Sequence, residues 1–360
     1  MAIKSKQSAG AHELSVAMTF LGHEGSTKYM SLESICYCPD GKQMIIGSSD
    51  KTIRLWDLRT GKEIEERRIV SEQEVRVVAV SRDGRWVVTG GADPNYQRPG
   101  LLKAYEVKKG IVKTFKDHSD GITCIDISPD GKLMASGTDD HTTWIWSLET
   151  GKLMAGPLEG VHMVGALRFS RDSRRLAVNA WTGKCLQVWD VETKKLDITT
   201  GTPGPSIFML RVSVFWTTND KTIVAPFNFS DPYNIIQTIY EFDASTLETV
   251  GAPFQGHTNY ITGLALSSDC ALLVSASEDD TIKLWAFESR QLLASFNVTR
   301  PVFTLILSPG AHKVAYSTLG PNSRKICICN IPPDIFANIR PSQDALSVRL
   351  RIYSPSYILT

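Results

Sequence analysis

Three short stretches of the sequence place an aspartate six positions before a tryptophan. The three pairs are Asp50 and Trp56, Asp140 and Trp146, and Asp279 and Trp285. Two of these stretches also follow a histidine and a serine, namely His118 and Ser136, and His257 and Ser275. Serine, histidine and aspartate are the residue types of a nucleophilic catalytic triad. A catalytic site occurs once in a chain, whereas this set recurs, so we expect a structural role instead.

Other catalytic patterns are missing from the sequence. The dipeptide Gly-Lys occurs at Gly41, Gly61, Gly131, Gly151 and Gly183. The next residue is never Ser or Thr, so none of these is a phosphate-binding loop. The sequence has no GxSxG, no HExxH and no His/Cys spacing typical of a zinc site. We therefore predict a protein that is not an enzyme and has no metal and no cofactor.

The elements that carry these residues are repeated along the chain. Alignment on Trp56 gives seven comparable segments, spaced by about 40–50 residues, a period typical of repeat architectures. Their anchor residues are Trp56, Tyr105, Trp146, Trp189, Phe242, Trp285 and Cys329.

Within a segment, an alternating run such as "ITCIDIS" is followed by a turn such as "PDGK". The segment continues with a second run, "LMASG", a polar turn and the anchor strand. It ends with a turn such as "ETGK" and a fourth short strand. Four antiparallel strands repeated at this period predict an all-β fold, a seven-bladed β-propeller of four-stranded blades.

The chain resembles the WD-repeat family. The resemblance rests on Gly22-His23 and Gly256-His257, on Trp56-Asp57 and Trp189-Asp190, and on the turns "CPDGK", "SRDGR" and "SPDGK". It covers about residues 14–331. It implies a propeller of seven blades that acts as a scaffold for protein or peptide partners.

The resemblance also gives the repeated polar residues a role. In this family a histidine, a serine or threonine, an aspartate and a tryptophan form one hydrogen-bonded chain in a blade. Two blades here have the full set, His118, Ser136, Asp140 and Trp146 in one, and His257, Ser275, Asp279 and Trp285 in the other. The first blade has His23, Asp50 and Trp56, but Ile46 replaces the hydroxyl residue.

The two ends of the repeat region predict how the ring closes. The last segment, 299–331, offers three strands, whereas residues 13–20 form an alternating run with no earlier blade to join. We expect this N-terminal strand to close the ring as the outer strand of the last blade, which also protects a sheet edge. The predicted organisation is an extension (1–12), one propeller (13–331) and a tail (332–360). The tail is interpreted as packed on the ring or partly disordered, or alternatively as a latch or partner-binding peptide.

The fifth segment departs most from the pattern. Pro226 stands in its second strand, where a backbone N–H would be expected, and Phe242 replaces the tryptophan. The boundaries of its strands, between residues 198 and 245, are therefore the hardest to predict.

The loops that differ in length fall on one face, the face that carries the turns between second and third strands. Long or variable loops are where function is usually carried, and Tyr, Trp and Arg are favoured at interfaces. The predicted partner-binding residues are Tyr29, Tyr96, Arg98, Trp181, Tyr233 and Tyr260. The alternative is that each aromatic side chain folds back onto its own blade.

Bulk composition narrows the class of protein. A formal net charge of +1 argues against nucleic-acid binding. The seven cysteines are thinly spread, as expected of free thiols, and neither a secretory signal nor an apolar run long enough to span a membrane is evident. We expect a cytoplasmic or nuclear scaffold, a monomer by itself or a subunit of a larger complex. The alternative is a small-molecule-binding or enzymatic propeller that uses the channel mouth.

Overall fold

Alternating runs and tight turns produce small antiparallel sheets throughout the chain. The structure is a computed structural model, and it describes residues 14–21, 32–64, 69–93, 98–159, 163–202, 213–229, 235–318, 325–337 and 339. Within these ranges the strands form seven sheets, which are the seven blades of a β-propeller. The predicted fold class is confirmed.

The strands of the first half follow the sequence segments. The first strand that the structure describes is β1 (Ser15–Leu21). Blade 1 contains β2 (Leu32–Tyr37), β3 (Gln43–Ser48), β4 (Thr52–Asp57), β5 (Lys62–Glu63) and β6 (Ile69–Val70). Blade 2 contains β7 (Glu74–Val80), β8 (Trp86–Ala92), β9 (Leu102–Glu106) and β10 (Ile111–Phe115). Blade 3 contains β11 (Ile122–Ile127), β12 (Leu133–Thr138), β13 (Thr142–Ser147) and β14 (Leu153–Glu159).

The second half continues in the same way. Blade 4 contains β15 (Val164–Phe169), β16 (Arg175–Ala180), β17 (Cys185–Asp190) and β18 (Lys195–Gly201). Blade 5 contains β19 (Phe215–Trp216), β20 (Thr222–Pro226) and β21 (Ile239–Asp243). Blade 6 contains β22 (Ile261–Leu266), β23 (Leu272–Ser277), β24 (Thr281–Ala286) and β25 (Gln291–Asn297). Blade 7 contains β26 (Val302–Leu307), β27 (Lys313–Thr318) and β28 (Lys325–Asn330), and the helix α1 (Pro333–Ala337) follows.

The ring is closed by its first strand. β1 pairs antiparallel with β28, so that the sheet order in blade 7 is β1-β28-β27-β26. Phe20 of β1 is 2 % exposed, and its ring lies 4.8 Å from that of Trp56 in blade 1. The closure predicted from the N-terminal alternating run is therefore confirmed.

The hydrophobic core lies between neighbouring blades. One cluster joins Ile145 of blade 3 to Leu167 and Phe169 of blade 4, and comparable clusters join other neighbours. The blades approach so closely that some positions exclude a side chain. A Cβ atom at Gly47 of blade 1 would lie 2.7 Å from Val75 Cγ1 of blade 2, so a larger residue there would push the blades apart.

The first strands of the blades surround a central channel with a cavity of about 560 Å³. We call the end of the ring that carries the turns between second and third strands the upper face. The lower face carries the turns between first and second strands and those between third and fourth strands. Asp140 and Asp279 lie in upper-face turns, and the "PDGK" turns lie on the lower face.

Blade 5 has an irregular outer edge. In place of a fourth strand, the residues after β21 cover its edge through two isolated bridges, Ile239 to Phe254 and Phe242 to Thr249. Pro226 is the last residue of β20, opposite Ile239. The prediction of four strands in every blade is therefore wrong for blade 5, where the described residues form three.

The chain turns back onto the ring after blade 7. Ile335 of α1 is 4 % exposed and belongs to the core cluster of blades 6 and 7. The ring of Phe336 lies 5.1 Å from that of His312. The first residues of the predicted tail are thus packed against blade 7, and residues 340–360 lie outside the described residues.

Candidate protein-interaction surface

The polar set of blade 6 forms one continuous hydrogen-bonded chain. Asp279 Oδ2 accepts from His257 Nδ1 at 2.9 Å. Because a carboxylate can only accept, Nδ1 carries a proton, and in the neutral ring Nε2 accepts from Ser275 Oγ at 2.8 Å. Ser275 Oγ in turn accepts from Trp285 Nε1 at 2.9 Å. Four side chains from the entry loop, two strands and an upper turn are thereby fixed to one another.

Asp279 also holds the upper loops of its blade. Its carboxylate accepts hydrogen bonds from the backbone N–H groups of Thr258 and Thr281, both at 3.0 Å. Burial alone would raise the pKa of Asp279, but the hydrogen bonds from His257, Thr281 and Thr258 outweigh it and hold that pKa well below its usual range. The folded state therefore favours the ionised carboxylate.

This depressed pKa predicts a pH dependence of stability. The contribution of Asp279 is fully present above its unfolded pKa of about 4 and is lost as the pH falls towards the lower folded pKa. Asp279→Asn lacks this titration. We expect the wild type to exceed the variant in free energy of unfolding at pH 7, with a difference that shrinks as the pH falls from about 5 to about 2. Urea titrations of both proteins at each pH measure it, and a difference independent of pH would contradict the assignment.

Blade 3 repeats the arrangement with one longer contact. His118 Nε2 lies 2.6 Å from Ser136 Oγ, which accepts from Trp146 Nε1 at 3.0 Å. His118 Nδ1 is 3.8 Å from Asp140 Oδ2, which is beyond a hydrogen bond. Asp140 Oδ2 accepts instead from the backbone N–H of Ser119 at 2.9 Å.

Blade 1 is incomplete where its sequence departs from the pattern. Asp50 Oδ1 accepts from the backbone N–H of Thr52 at 2.8 Å. Trp56 Nε1 is buried and has no hydrogen-bond partner among the described residues, because Ile46 stands where blades 3 and 6 have serine. His23 lies outside the described residues.

The serines of the two complete sets are buried, unlike the nucleophile of a catalytic triad. In blades 3 and 6 the serine Oγ accepts from a tryptophan at the base of a buried set. Ser136 and Ser275 are both 0 % exposed, so a substrate cannot reach either hydroxyl. Across the described ranges, no group of three His, Cys, Asp or Glu residues is placed to hold a metal ion.

The predicted contact residues fall into three groups. Tyr29, Tyr96 and Tyr233 lie outside the described residues. Arg98 is on the upper face with a side chain that is 61 % exposed, and its Nη2 lies 3.3 Å from Oδ1 of the buried Asp93. The contact fixes one end of the guanidinium and leaves the rest in solvent.

Trp181 and Tyr260 are brought together, but not as two exposed anchors. Trp181 is only 8 % exposed, because Ile236 and Met163 pack against it, and Tyr260 lies on the same cluster half-buried. The sequence predicts an exposed Trp181, whereas in the structure this side chain is buried. Ile236 belongs to the connection between β20 and β21 of the neighbouring blade, a contact that no local pattern indicates.

An ion pair at the upper end of the channel was not predicted from the sequence. Arg76 Nη1 of blade 2 lies 3.1 Å from Asp139 Oδ2 of blade 3, and the two side chains are 17 % and 9 % exposed. Gly121 leaves room for it, since a Cβ there would lie 2.9 Å from the Arg76 Nη1 atom. In the sequence, the feature that could have indicated this ion pair is the charged Arg76 inside the alternating run "EVRVVAV".

One negative finding concerns membranes. Among the residues that the structure describes, no helix is long and apolar enough to cross a bilayer.

A closed seven-bladed ring with histidine–serine–tryptophan sets beneath its upper turns defines a WD-repeat propeller. The WD40 family, described as "WD domain, G-beta repeat", matches residues 15–57, 109–147 and 248–286, which include strands of blades 1, 3 and 6. These are the three blades that carry the repeated aspartate and tryptophan. Over these three segments the chain is similar to the WD-repeat family.

Several curated relatives are similar at low identity. Periodic tryptophan protein 2 of Arabidopsis thaliana is 26 % identical over 251 residues, which are 69 % of this chain and 26 % of that protein. Eukaryotic translation initiation factor 3 subunit I of Bombyx mori is 29 % identical over 203 residues, 54 % of this chain and 59 % of the relative. Cell division cycle 20.1, cofactor of APC complex, of Arabidopsis thaliana is 22 % identical over 262 residues, 70 % of this chain and 53 % of the relative. The matched part of the chain thus spans between about a quarter and three fifths of these three relatives.

Proposed function

We propose that this protein is a non-catalytic adaptor that binds protein or peptide partners on the upper face of the propeller. The observation that carries the proposal is the way Asp279 and Asp140 fasten the upper loops to buried strands through the backbone N–H groups of Thr258 and Ser119. Loops held on a rigid frame present the same surface to every partner, which lowers the entropic cost of binding.

The relatives are consistent with this proposal. Two of them are named as a subunit of a translation initiation factor and as a cofactor of the APC complex, so each works with other proteins. By the same reasoning we place this chain in a larger assembly, as a monomeric propeller that contributes one subunit. Its organisation as an extension (1–12), a propeller (13–331) and a tail (332–360), and a cytoplasmic or nuclear location, belong to the same proposal.

A second candidate function rests on the channel. A cavity of about 560 Å³ is within the range of about 300–1,000 Å³ that small-molecule sites occupy. The polar residues that line it include an aspartate and an arginine that are already paired, Asp126 and Arg168 at 2.9 Å. That pairing leaves less polar chemistry for a small ligand, so we favour the adaptor.

The adaptor proposal is tested by affinity purification followed by mass spectrometry. We expect a protein partner to co-purify in stoichiometric amount, and Arg98→Glu to reduce its recovery at least about fivefold, because a reversed charge in an exposed contact repels what the native charge attracts. Arg59→Glu is the matched control, since Arg59 is an exposed arginine in a turn of the lower face. Unchanged thermal unfolding shows that both variants remain folded.

Two outcomes would count against the upper face. Equal loss of the partner in the Arg98 and Arg59 variants would mean that overall charge, not this surface, governs binding. Recovery of a stoichiometric metabolite without any protein partner would favour the small-molecule function instead.

A further inference from the structure

The lower mouth of the channel carries a group of arginines that the fold does not require. In each blade the residue directly after the first strand is usually a serine, and the second residue after the strand belongs to the lower-face turn. The seven residues at this second position are Pro39, Arg82, Pro129, Arg171, Thr218, Ser268 and Pro309. Proline, serine and threonine are ordinary turn residues, whereas arginine has no turn-forming property of its own. The two arginines therefore call for another explanation.

A third arginine lies just above this ring and is already neutralised. Arg168 Nη1 donates to Asp126 Oδ1 at 2.9 Å, and its guanidinium lies 4.9 Å from the centre of the Phe215 ring. Asp126 Oδ2 accepts from the backbone N–H of Phe169 at 2.8 Å. Both oxygens of this buried carboxylate are therefore occupied, and the pair is fixed in the channel wall.

Among the described residues, the side chain of Arg171 is held by a carbonyl oxygen and has no carboxylate partner. Its Nη2 donates to the carbonyl oxygen of Ser268, in the turn of blade 6, at 2.6 Å. The nearby Asp220 carboxylate accepts from two backbone N–H groups, those of Arg171 at 2.7 Å and Asp172 at 3.0 Å. The neutral carbonyl oxygen of Ser268 thus positions the guanidinium of Arg171. Its other N–H groups have no side-chain acceptor among the described residues.

Arg82 is the least engaged of the three. It is exposed, lines the channel, and has neither a hydrogen bond nor an ion pair from its side chain within the described ranges. Partial removal from water, followed by the like charges of Arg171 and Arg168, lowers the pKa of Arg82 despite the nearby carboxylates of Asp126 and Asp220. Arg82 therefore lies near two other guanidinium groups, of which that of Arg168 is already paired with Asp126.

Beside the paired Asp126 and Arg168, part of the channel wall above the arginines is apolar. Cys36, Ala79, Phe215 and Ile306 line the channel at that level. A ligand that fits must carry negative charge at one point and hydrocarbon next to it. A carboxylate at the end of a methylene stem has this form, whereas a polyphosphate carries charge along its whole length.

We propose that the lower mouth of the channel binds an acidic peptide segment of a partner protein, with one carboxylate side chain entering between Arg82 and Arg171. Guanidinium groups bind carboxylates through two parallel hydrogen bonds, which gives this contact geometry as well as charge. The site lies on the face opposite to the proposed upper surface. The protein would thus contact partners at both ends of its channel.

The test is fluorescence anisotropy with a labelled hexaglutamate peptide and the full chain. We expect wild-type protein to bind hexaglutamate and not hexaglutamine, with binding that weakens as salt is raised. Arg82→Gln should weaken it about tenfold, the effect of losing a charge-assisted contact. Adding Arg171→Gln should weaken it further. Arg59→Gln, which removes an exposed arginine elsewhere on the lower face, should leave affinity within about twofold.

Arg82→Gln is the variant that is simplest to interpret, because the side chain of Arg82 makes no hydrogen bond or ion pair among the described residues. Arg171, in contrast, donates to the carbonyl oxygen of Ser268, so its replacement can also disturb folding. Equal hexaglutamate affinity for wild type and Arg82→Gln would overturn the proposal, as would equal weakening by Arg59→Gln. Pyrophosphate that bound more tightly than hexaglutamate, with the same dependence on Arg82, would assign the mouth to phosphates and also overturn it. None of these results depends on whether Arg98 binds a partner.

Discussion

We expect the replacement of Asp279 by alanine to lower the free energy of unfolding by about 3 kcal/mol. The carboxylate is 8 % exposed and accepts from His257, from the Thr281 hydroxyl and from two backbone N–H groups. Its removal leaves the buried His257 and the half-buried Thr281 without their acceptor, and each unsatisfied group costs about 1–3 kcal/mol where water cannot replace the lost hydrogen bond. The loss should be larger than for a surface aspartate.

Chemical denaturation followed by tryptophan fluorescence measures this loss, because Trp285 belongs to the same set. Asp117→Ala is the matched control. Asp117 is exposed and directly precedes His118, which is the counterpart in blade 3 of His257. We expect the control to change stability by less than about 0.5 kcal/mol. Equal midpoints for wild type and Asp279→Ala would exclude the structural role of the carboxylate.

Removal of residues 1–21 should abolish soluble folding. The deletion takes away β1, so that β28 keeps β27 on one side but becomes an open edge on the other. Phe20 packs beside Trp56 in the core cluster of blades 7 and 1, and the loss of a buried phenylalanine costs about 3–5 kcal/mol. Together with the lost backbone hydrogen bonds between β1 and β28, this cost is a large part of the free energy of unfolding of a typical domain.

Size-exclusion chromatography and thermal unfolding of two truncations test the closure. Removal of residues 1–12 leaves β1 intact and should give a monomer with the melting temperature of the full chain. Phe20→Ala provides a graded intermediate, destabilised but soluble. A truncation lacking residues 1–21 that remained monomeric with unaltered melting would show that the ring does not depend on β1.

The architecture was predictable because it depends on patterns that recur. The alternating run that ends at Phe20 and the missing strand of the last segment together predicted the closure. Blade 5 was harder, since the edge of β21 is covered by bridges from Thr249 and Phe254. Isolated bridges need no alternating pattern, so the sequence around them does not distinguish them from a regular fourth strand.

The functional surface was less predictable, because it depends on contacts between blades. Trp181 looks exposed in its turn, yet Ile236 from the next blade covers it. Arg76 and Asp139 meet across a blade boundary in the same way. Arg82 was visible only as part of an ordinary turn, and its significance arises when the seven turns are brought to one mouth. Residues far apart in the chain acquire a common role through the ring.

The pairing of β1 with β28 also constrains biosynthesis. β1 is synthesised before the other described strands, whereas β28, with which it pairs, is synthesised after them. At about 5–20 residues per second the N-terminal strand waits for tens of seconds, and during that interval the side chain of Phe20 has only part of its final packing. Until β28 has been made, the blades of the nascent chain form an open arc with exposed apolar side chains.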